Sequence, residues 1–437
     1  MARRPRHPPL NVFLNSRLVG RLHRATSGAI DFRYDPTWLD WQHALPVSLS
    51  LPLREDRYVG APVVAVFENL LPDGDALRRR VAARVHAEGA DAFSLLSAVG
   101  RDCVGALQFL PEGQEPGAAG AIEGRPIDDE AIALMLGELA NAPLGLGDEE
   151  DFRISIAGAQ EKTALLRWKD RWYKPTGTTA TTHILKPQIG RLPNGIDLSC
   201  SVENEFLCLK LTAALGLPSA HVEIATFDAK RVLIVERFDR RWTRDGRLLR
   251  LPQEDCCQAL GVPPSRKYET DGGPGIPAIL DLLNGSDDPE GDRHRVLKTL
   301  IVFWLIGATD GHAKNFSIFL APGGRFSATP LYDVISAQPS LDAGEIRRNR
   351  MKLAMAVGDS RHYAIHEIAP RHFIQTAAKA GIGAAAVEGI FDEIAAAAPA
   401  AIERVLAHLP NRFPAEIADS IVAGFRARLR VIGGSER

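Results

Sequence analysis

The stretch Trp304–Asn315, WLIGATDGHAKN, decides the fold. In this stretch an apolar run is followed directly by a group of polar residues. Asn315 follows Asp310 by five residues, and a further carboxylate, Asp333, comes later in LYDVIS. Phosphoryl transfer uses a base, an amide that holds a metal ion and a second metal-binding carboxylate in this order. The pattern therefore predicts Asp310 as catalytic base, with Asn315 and Asp333 holding Mg²⁺ against the phosphates of ATP.

The spacing of Asp310 and Asn315 is also typical of an ordinary turn after a helix, and on the spacing alone this alternative stays open. The surroundings favour the catalytic hypothesis, because the motif follows a helix that reads as buried and precedes the strand-like NFSIFL. Lys314 is expected to neutralise charge on the transferred phosphoryl group. His312 is placed at the same nucleotide site, with bracing of the loop by hydrogen bonds as its alternative role.

A lysine at the end of an apolar strand, Lys186 in THILKP, is typical of the kinase lysine that contacts the α- and β-phosphates. Such a lysine needs a glutamate on a following helix, and Glu205 in SVENEFLCLKL stands 19 residues later. Glu203 is the competing choice. Taken alone, Lys186 is equally compatible with an edge-strand lysine in solvent, and the pair favours the nucleotide-binding interpretation.

A short loop between two predicted strands, SIAGAQEKT from Ser155 to Thr163, is expected to cover the phosphates. Its small residues permit backbone N–H groups to approach a phosphate, and a lysine adds positive charge. The loop matches neither GxGxxG nor the Walker A motif, so the pattern by itself is weak. The residues assigned to ATP here are Ala157, Gly158, Ala159, Gln160, Glu161 and Lys162.

The segment VERFDRR follows another predicted strand and is expected to meet the adenine edge, as a kinase hinge does. Backbone groups of Glu236, Arg237 and Phe238 would make this contact. A strand that ends in a charged turn is the alternative, and it is nearly as compatible with the sequence.

The length of 437 residues predicts two or three domains. The predicted elements divide the chain into residues 1–111, an N-terminal α+β subdomain, residues 112–250, a nucleotide-binding lobe, and residues 251–437, a mainly helical catalytic lobe. The expected fold class is therefore α+β. The formal net charge of -2 gives no support to strong nucleic-acid binding by the chain as a whole.

Five cysteines without a CxxC pair predict reduced thiols rather than a zinc site. The basic N-terminus, MARRPRHPP, has no apolar segment behind it and is expected to be a solvated tail rather than a secretory signal. The longest apolar run, around Leu300–Ala308, is about half a membrane span. We therefore expect a soluble, cytoplasmic protein.

Seven segments, in chain order, closely resemble the HipA family of bacterial serine/threonine kinase toxins: SIAGAQEKTALL, THILKP, VERFDRRW, LPQEDCCQALG, KYETDGGPGI, IGATDGHAKNFSIF and LYDVISA. The resemblance runs over nearly the whole chain. It implies a two-lobed, protein-kinase-like fold related to lipid kinases, with an added N-terminal subdomain. It also implies the base, magnesium and ATP roles given above for the same residues.

The resemblance further implies a biological role and partners. The family's substrate is glutamyl-tRNA synthetase, whose phosphorylation blocks tRNA charging, halts translation and favours dormancy and drug tolerance; another aminoacyl-tRNA synthetase or translation factor stays open here. Autophosphorylation of the serine that matches Ser155 is implied to eject the phosphate loop and switch the kinase off. The implied partner is a HipB-type antitoxin, a dimeric helix-turn-helix repressor that binds operator DNA and neutralises the toxin.

Two other functions stay open at this stage. Small-molecule phosphotransferases, such as antibiotic kinases, also use an aspartate with an asparagine five residues on. A non-catalytic co-repressor that binds an antitoxin and DNA is the second, and the intact Asp310, Asn315 and Asp333 argue against it. Direct contact of Arg371 and Lys379 with operator phosphates is a weaker inference, with a solvated helix surface as the alternative.

Overall fold

The structure is a computed structural model that describes residues 7–146 and 152–433. Of the predicted N-terminal tail, residues 1–6 lie outside the described residues. Helices and strands alternate irregularly along the chain, and the strands of the described sheets pair antiparallel. This arrangement is typical of an α+β fold.

The first part of the chain forms a five-stranded sheet with helices packed on it, in the strand order β4-β3-β2-β1-β5. Asn15 and Ser16 take left-handed backbone conformations (φ 45° and 69°) that close the first hairpin. The elements are β1 (Leu10–Leu14), β2 (Arg17–Arg24), β3 (Ile30–Tyr34), α1 (Pro36–Leu39), β4 (Tyr58–Val59), α2 (Ala61–Glu68), α3 (Asp75–Arg84), α4 (Ala92–Val99) and β5 (Leu107–Pro111).

The alternating stretch PVSLSLPL, residues 46–53, predicts a strand but forms turns instead. Its polar groups find partners in the C-terminal part of the chain. The Leu49 amide donates to Oε1 of Glu254 (2.8 Å), and the Ser48 hydroxyl donates to the carbonyl of Gln258 (3.2 Å). Tertiary contacts therefore replace the ladder that the alternation predicts.

The middle part carries a six-stranded sheet in the order β12-β13-β9-β7-β8-β6, with one long helix packed on β12 and β13. Strand β9 lies inside the sheet, so its last residues are held on both sides. The elements are β6 (Gly124–Pro126), α5 (Asp129–Gly137), β7 (Thr163–Trp168), β8 (Arg171–Pro175), β9 (His183–Pro187), β10 (Gly190–Arg191), β11 (Asp197–Leu198), α6 (Ser201–Ala214), β12 (Val222–Phe227), β13 (Lys230–Glu236), β14 (Arg240–Trp242) and β15 (Leu248–Arg250).

The last part is mainly helical, and its longest buried segment runs through Val296–Ile306, which is buried on all sides and apolar except for Lys298 and Thr299. The helix ends at Gly307, whose left-handed conformation (φ 74°) stops it and directs the chain into the polar loop. The elements are β16 (Gln253–Asp255), α7 (Cys256–Ala259), α8 (Ile276–Leu282), α9 (Pro289–Ile306), β17 (Ser317–Ala321), β18 (Arg325–Ala328), α10 (Gln338–Asp342), β19 (Lys352–Val357), β20 (His362–Ala364), α11 (Pro370–Lys379), α12 (Ala384–Ala407) and α13 (Ala415–Gly433).

One continuous hydrophobic core includes residues of the first sheet, of α6 and of the C-terminal helices. A smaller core lies between α5 and the six-stranded sheet. Within residues 7–146 and 152–433, none of the helices combines the length and apolarity needed to cross a membrane.

Candidate active site

A cavity of about 490 Å³ lies where the six-stranded sheet, the loop after α9 and the N-terminal part meet. A cavity of this volume is within the range that holds small ligands and cofactors. Most of the residues predicted to contact ATP or metal line it: Ala157, Gly158, Ala159, Gln160, Lys162, Lys186, Glu236, Arg237, Phe238, Asp310, His312, Lys314, Asn315 and Asp333.

The loop after α9 is tied into one conformation by its own polar groups. Nδ2 of Asn315 donates to the backbone carbonyl of Asp310 (2.9 Å) and, at 3.5 Å, to that of Asp333. The Tyr332 hydroxyl donates to the carbonyl of Lys314 (2.7 Å). The two bonds from Asn315 use the donor side of its amide and leave its Oδ1 as an acceptor or metal ligand.

The carboxylate of Asp310 is exposed, and its Oδ1 accepts a hydrogen bond from the Tyr268 hydroxyl (2.6 Å). The His312 ring packs edge-on against the same tyrosine, with 4.9 Å between ring centroids. Burial of His312 lowers the pKa of its imidazole. His312 lines the cavity, and its buried Nδ1 has no hydrogen-bond partner among the described residues, so loop bracing and nucleotide contact both stay predictions.

Lys186 lies between two carboxylates. Its Nζ is 2.7 Å from Oε1 of Glu205 and 2.8 Å from Oδ1 of Asp333. Strand β9 supplies the lysine and helix α6 supplies the glutamate. Glu203, the competing choice in the sequence, pairs with Arg231 instead. The structure therefore selects Glu205 as the partner of the lysine.

Asp333 is held as an anion. Burial alone would raise its pKa, but the charges of Lys186 and Lys162 outweigh burial and hold that pKa far below its usual range. Its backbone takes a left-handed conformation (φ 58°). Such conformations are uncommon outside glycine and concentrate at functional sites.

The predicted phosphate loop is held against the N-terminal part. An isolated bridge joins Pro72 to Gly158, and residues 152–156, predicted as a strand, join no sheet of the described chain. Gly158 has φ 107°, a conformation that side-chain-bearing residues rarely adopt. Nζ of Lys162 donates to the Ala157 carbonyl (2.9 Å), and burial together with the nearby Lys186 lowers the pKa of Lys162 to about 8.

Two residues of this segment face away from the cavity. Glu161 pairs with Arg80 of α3 at 3.2 Å, so its side chain points to the N-terminal part rather than to the predicted ATP site. Ser155 is fully buried: its Oγ donates to the Leu70 carbonyl (2.8 Å) and its amide to the Asp102 carbonyl (2.9 Å). In this conformation the Ser155 hydroxyl cannot meet a phosphoryl group in the cavity.

The segment after β13 reaches the cavity, but part of its backbone is already bonded. The Glu236 amide donates to the His221 carbonyl and the Arg237 amide to the Thr182 carbonyl, both at 2.9 Å. The Arg237 guanidinium lies in a buried ion-pair cluster. These two amides are therefore unavailable to adenine, and the predicted adenine contact through the other backbone groups stays a prediction. The Phe238 amide has no partner within the described residues.

The ammonium group of Lys314 is paired with a residue of the N-terminal part. Its Nζ is 2.9 Å from Oδ1 of Asp73 and donates to the Asn69 carbonyl (3.3 Å), while Oδ2 of Asp73 accepts from Lys267 (2.7 Å). Lys314 therefore reaches the cavity with its charge already paired, as Lys186 does, and its role in neutralising the phosphoryl group stays a prediction. The sequence carries no local signal for this pair, whose members stand 241 residues apart.

Asn315 and Asp333 fit a magnesium ion by their chemistry. Magnesium prefers oxygen ligands and is usually bound by one or two protein groups together with phosphates and water. Asp333 retains Oδ2 beside the oxygen that is bonded to Lys186, and Asn315 retains its amide oxygen. Both oxygens lack a hydrogen-bond donor among the described side chains.

Residues 154–402 match the family model of the HipA-like C-terminal domain, and residues 10–110 match that of the HipA N-terminal domain. The chain belongs to the HipA family. The putative kinase Y4mE of Sinorhizobium fredii is 37% identical over 403 residues, which cover 91% of each protein. The serine/threonine-protein kinase toxin HipA of Shewanella oneidensis is 29% identical over 363 residues, which cover 80% of this chain and 78% of that protein.

The fold agrees with this membership. The solved complex of Shewanella oneidensis HipA with HipB and its operator DNA superposes with a TM-score of 0.80 at 26% identity, covering 97% of this chain and 98% of that HipA-family chain. The α+β, kinase-like fold is thereby confirmed. The assignment as a protein serine/threonine kinase is confirmed by the two relatives, which are named as kinases.

Proposed function

We propose that the chain transfers the γ-phosphoryl group of ATP to a serine or threonine hydroxyl of another protein. Asp310 accepts the proton of the attacking hydroxyl at its carboxylate. Lys186 and Lys162 contact the phosphates, and the loop 157–162 covers them with backbone amides. Magnesium, held by Asn315 and Asp333, offsets the negative charge of the transferred group.

The observation that supports this proposal is the placement of Lys186 between Glu205 and Asp333, in the wall of the cavity that also holds Asp310. Kinases require the lysine–glutamate pair and the metal-binding aspartate in place together. A lysine fixed by two carboxylates keeps its position without nucleotide. Little reorganisation is then needed when phosphates bind.

We infer the substrate class from the family. The acceptor we propose is an aminoacyl-tRNA synthetase, glutamyl-tRNA synthetase first among them, or a similar translation factor. Its phosphorylation would block translation and promote dormancy and persistence. We place the protein in the cytoplasm, where tRNA charging occurs, and we keep the division at residues 1–111, 112–250 and 251–437 as the proposed domain organisation.

A helix-turn-helix dimer of the HipB type is the proposed antitoxin. The solved HipA relative that superposes on 97% of this chain was determined with HipB and operator DNA. The net charge of -2 supports contact with DNA mainly through the antitoxin. Arg371 is exposed on α11 and is a secondary candidate for phosphate contact, whereas Lys379 already donates to the Gly358 carbonyl (2.9 Å).

Autophosphorylation of Ser155 is the proposed off switch. A phosphate adds about 1.5 to 2 negative charges. The fully buried position of Ser155 beside the Leu70 carbonyl cannot hold such a charge without a cationic partner. The phosphorylated loop would therefore leave its place against the N-terminal part, and the phosphate site would lose its cover.

The test of the proposed function is labelling of a cell extract with γ-labelled ATP, followed by phosphoproteomics of cells that express the protein briefly. We expect label on a discrete protein band as phosphoserine or phosphothreonine, and loss of that label when a chelator removes magnesium. Label confined to the small-molecule fraction would contradict the proposal and favour a small-molecule phosphotransferase.

A further inference from the structure

The turn between α2 and α3 joins the N-terminal part to both loops of the site. The Asp73 amide donates to the Gly158 carbonyl (3.0 Å), which fixes the phosphate loop. The Asp73 carboxylate holds Lys314 of the catalytic loop at 2.9 Å and Lys267 at 2.7 Å. One residue of the N-terminal part thus contacts the two loops that must act on the same phosphoryl group.

The pair of Asp73 and Lys314 is nearly enclosed, with side-chain exposures of 11% and 5%. Burial alone would raise the pKa of Asp73, but the charges of Lys314 and Lys267 outweigh burial and lower that pKa to about 2. Asp73 is therefore an anion at neutral pH. Removing its charge takes from the buried Lys314 ammonium the carboxylate that it is bonded to, which is far costlier than breaking an exposed pair.

We propose that Asp73 is a positioning residue for phosphoryl transfer, a role that rests on the function proposed above. It acts through Lys314, the residue before Asn315. By fixing the Lys314 ammonium it fixes the short turn from which Asn315 donates to the Asp310 carbonyl. Its backbone fixes Gly158 at the same time, so the phosphate loop and the catalytic loop keep one relative position.

The expected signature is a loss in turnover with little change in ATP affinity. Asp73 lines the same cavity as Lys186 and Lys162, which we assign to the phosphates, but within the described residues it forms no ion pair or hydrogen bond with either lysine. Misplacement of a catalytic group by about 1 Å costs on the order of 10²-fold in rate. For Asp73→Asn, which keeps the shape of the side chain, we expect kcat to fall by about 10- to 100-fold while KM for ATP changes by less than about threefold.

The experiment measures phosphoryl transfer by the full chain carrying Asp73→Asn, with Asp75→Asn as the matched control. Asp75 lies two residues on, at the first position of α3, and is exposed. A double-mutant cycle with Lys314→Gln separates positioning from general destabilisation. If Asp73 acts through Lys314, adding Asp73→Asn to Lys314→Gln lowers kcat by less than about twofold.

Hydrogen exchange of the peptide that contains residues 308–316 gives a readout that needs no activity. The peptide of residues 155–163 is the internal reference, because asparagine keeps the backbone amide that donates to the Gly158 carbonyl. Faster exchange of the 308–316 peptide in Asp73→Asn, and not in Asp75→Asn, supports the inference. Unchanged exchange, a kcat within about threefold of wild type or an additive double-mutant cycle would overturn it. A wild-type protein that transfers no phosphate would instead contradict the proposed function, and the exchange result would still decide the role of Asp73.

Discussion

Lys162 carries a charge that depends on pH near neutrality, because burial and the neighbouring Lys186 lower its pKa to about 8. The other three lysines that line the cavity are paired with carboxylates: Lys186 with Glu205 and Asp333, and both Lys314 and Lys267 with Asp73. The Lys162 ammonium donates to the Ala157 carbonyl, a neutral acceptor. It is therefore the cation best placed to gain a partner when phosphates enter the cavity.

This pKa predicts how ATP affinity depends on pH. Bound phosphate favours charged Lys162, so binding takes up a proton above about pH 8 and affinity falls there by up to about tenfold per pH unit. Between about pH 7.5 and about pH 8 the affinity changes little. Isothermal titration calorimetry of Mg-ATP binding between about pH 7.5 and about pH 9.5 measures how steeply the affinity falls with pH.

The matched control for this titration is Lys162→Gln. The variant binds ATP more weakly than wild type at about pH 7.5, and the difference narrows above about pH 8, because wild type then loses the charge that the variant lacks. An equal slope in wild type and variant would show that another group is responsible. A flat wild-type profile would contradict the assignment of Lys162 to the phosphates.

The sequence predicts the site residues that stand close together in the chain. It misses those that the fold brings to the site from distant segments. Asp310 and Asn315 are five residues apart in one loop, and their spacing alone predicts a hydrogen-bonded turn. Asp73 and Tyr268 reach the same loop from 241 and 42 residues away. Nothing in the stretches that contain them marks those contacts, because the tertiary fold alone brings them together.

At the scale of the element, the phosphate loop differs most from its prediction. The alternation in residues 152–156 predicts a strand, yet the segment joins no sheet in the described chain. The Ser155 hydroxyl and amide donate instead to the carbonyls of Leu70 and Asp102 in the N-terminal part. A loop held by a few bonds to another part of the molecule is easier to release than a strand in a ladder.

This release is the basis of a prediction for Ser155→Ala. After prolonged incubation with Mg-ATP, wild type loses ATP affinity because phosphorylated Ser155 cannot return to its buried site, whereas the variant keeps its affinity. Ser48→Ala is the control, because it removes another fully buried hydroxyl that bonds a backbone carbonyl, that of Gln258 (3.2 Å). Mass spectrometry that finds no phosphate on Ser155 in the inactivated wild type would contradict the switch.

At the scale of the whole molecule, a buried carboxyl group links the N-terminal part to the helical part. Glu254 of β16 accepts a hydrogen bond from the Leu49 amide (2.8 Å) and is 1% exposed. Burial raises the pKa of Glu254 from 4.5 to about 8. The hydrophobic core likewise crosses the proposed boundaries at residues 111 and 250, which stay predictions.

Glu254 makes the stability of the fold depend on pH. Because its pKa is higher in the folded protein, its contribution is complete below about pH 4.5 and is lost as pH rises to about 8, at a slope on the order of 1.4 kcal/mol per pH unit. The neighbouring Asp255, whose pKa burial raises to about 6, adds a slope of the same sign below that pH. Between about pH 6 and about pH 8 the slope therefore disappears in Glu254→Gln from the free energy of unfolding, measured in urea. Glu138→Gln, an exposed substitution on the surface beyond α5, keeps the wild-type slope. If Glu254→Gln kept the wild-type slope, the pH dependence of stability would come from another titrating group.

The architecture was more predictable than the contacts between its parts. The helix before Asp310 and the strands around Lys186 follow from apolar periodicity, and family membership confirms the kinase-like fold. Docking of the N-terminal part on the site depends on single buried pairs such as Asp73 with Lys314. Such pairs leave no periodic pattern, so sequence reasoning has no means to find them.

The most direct test of the central claim is a comparison of ATP binding and phosphoryl transfer in Asp310→Asn. The exposed Asp310 carboxylate lies beside the phosphate site without contacting Lys186 or Lys162. We predict that the variant binds Mg-ATP within about threefold of wild type and that its transfer to the protein acceptor falls by about 10²- to 10⁴-fold, as expected for loss of a general base. Transfer at a rate near that of wild type would contradict the account.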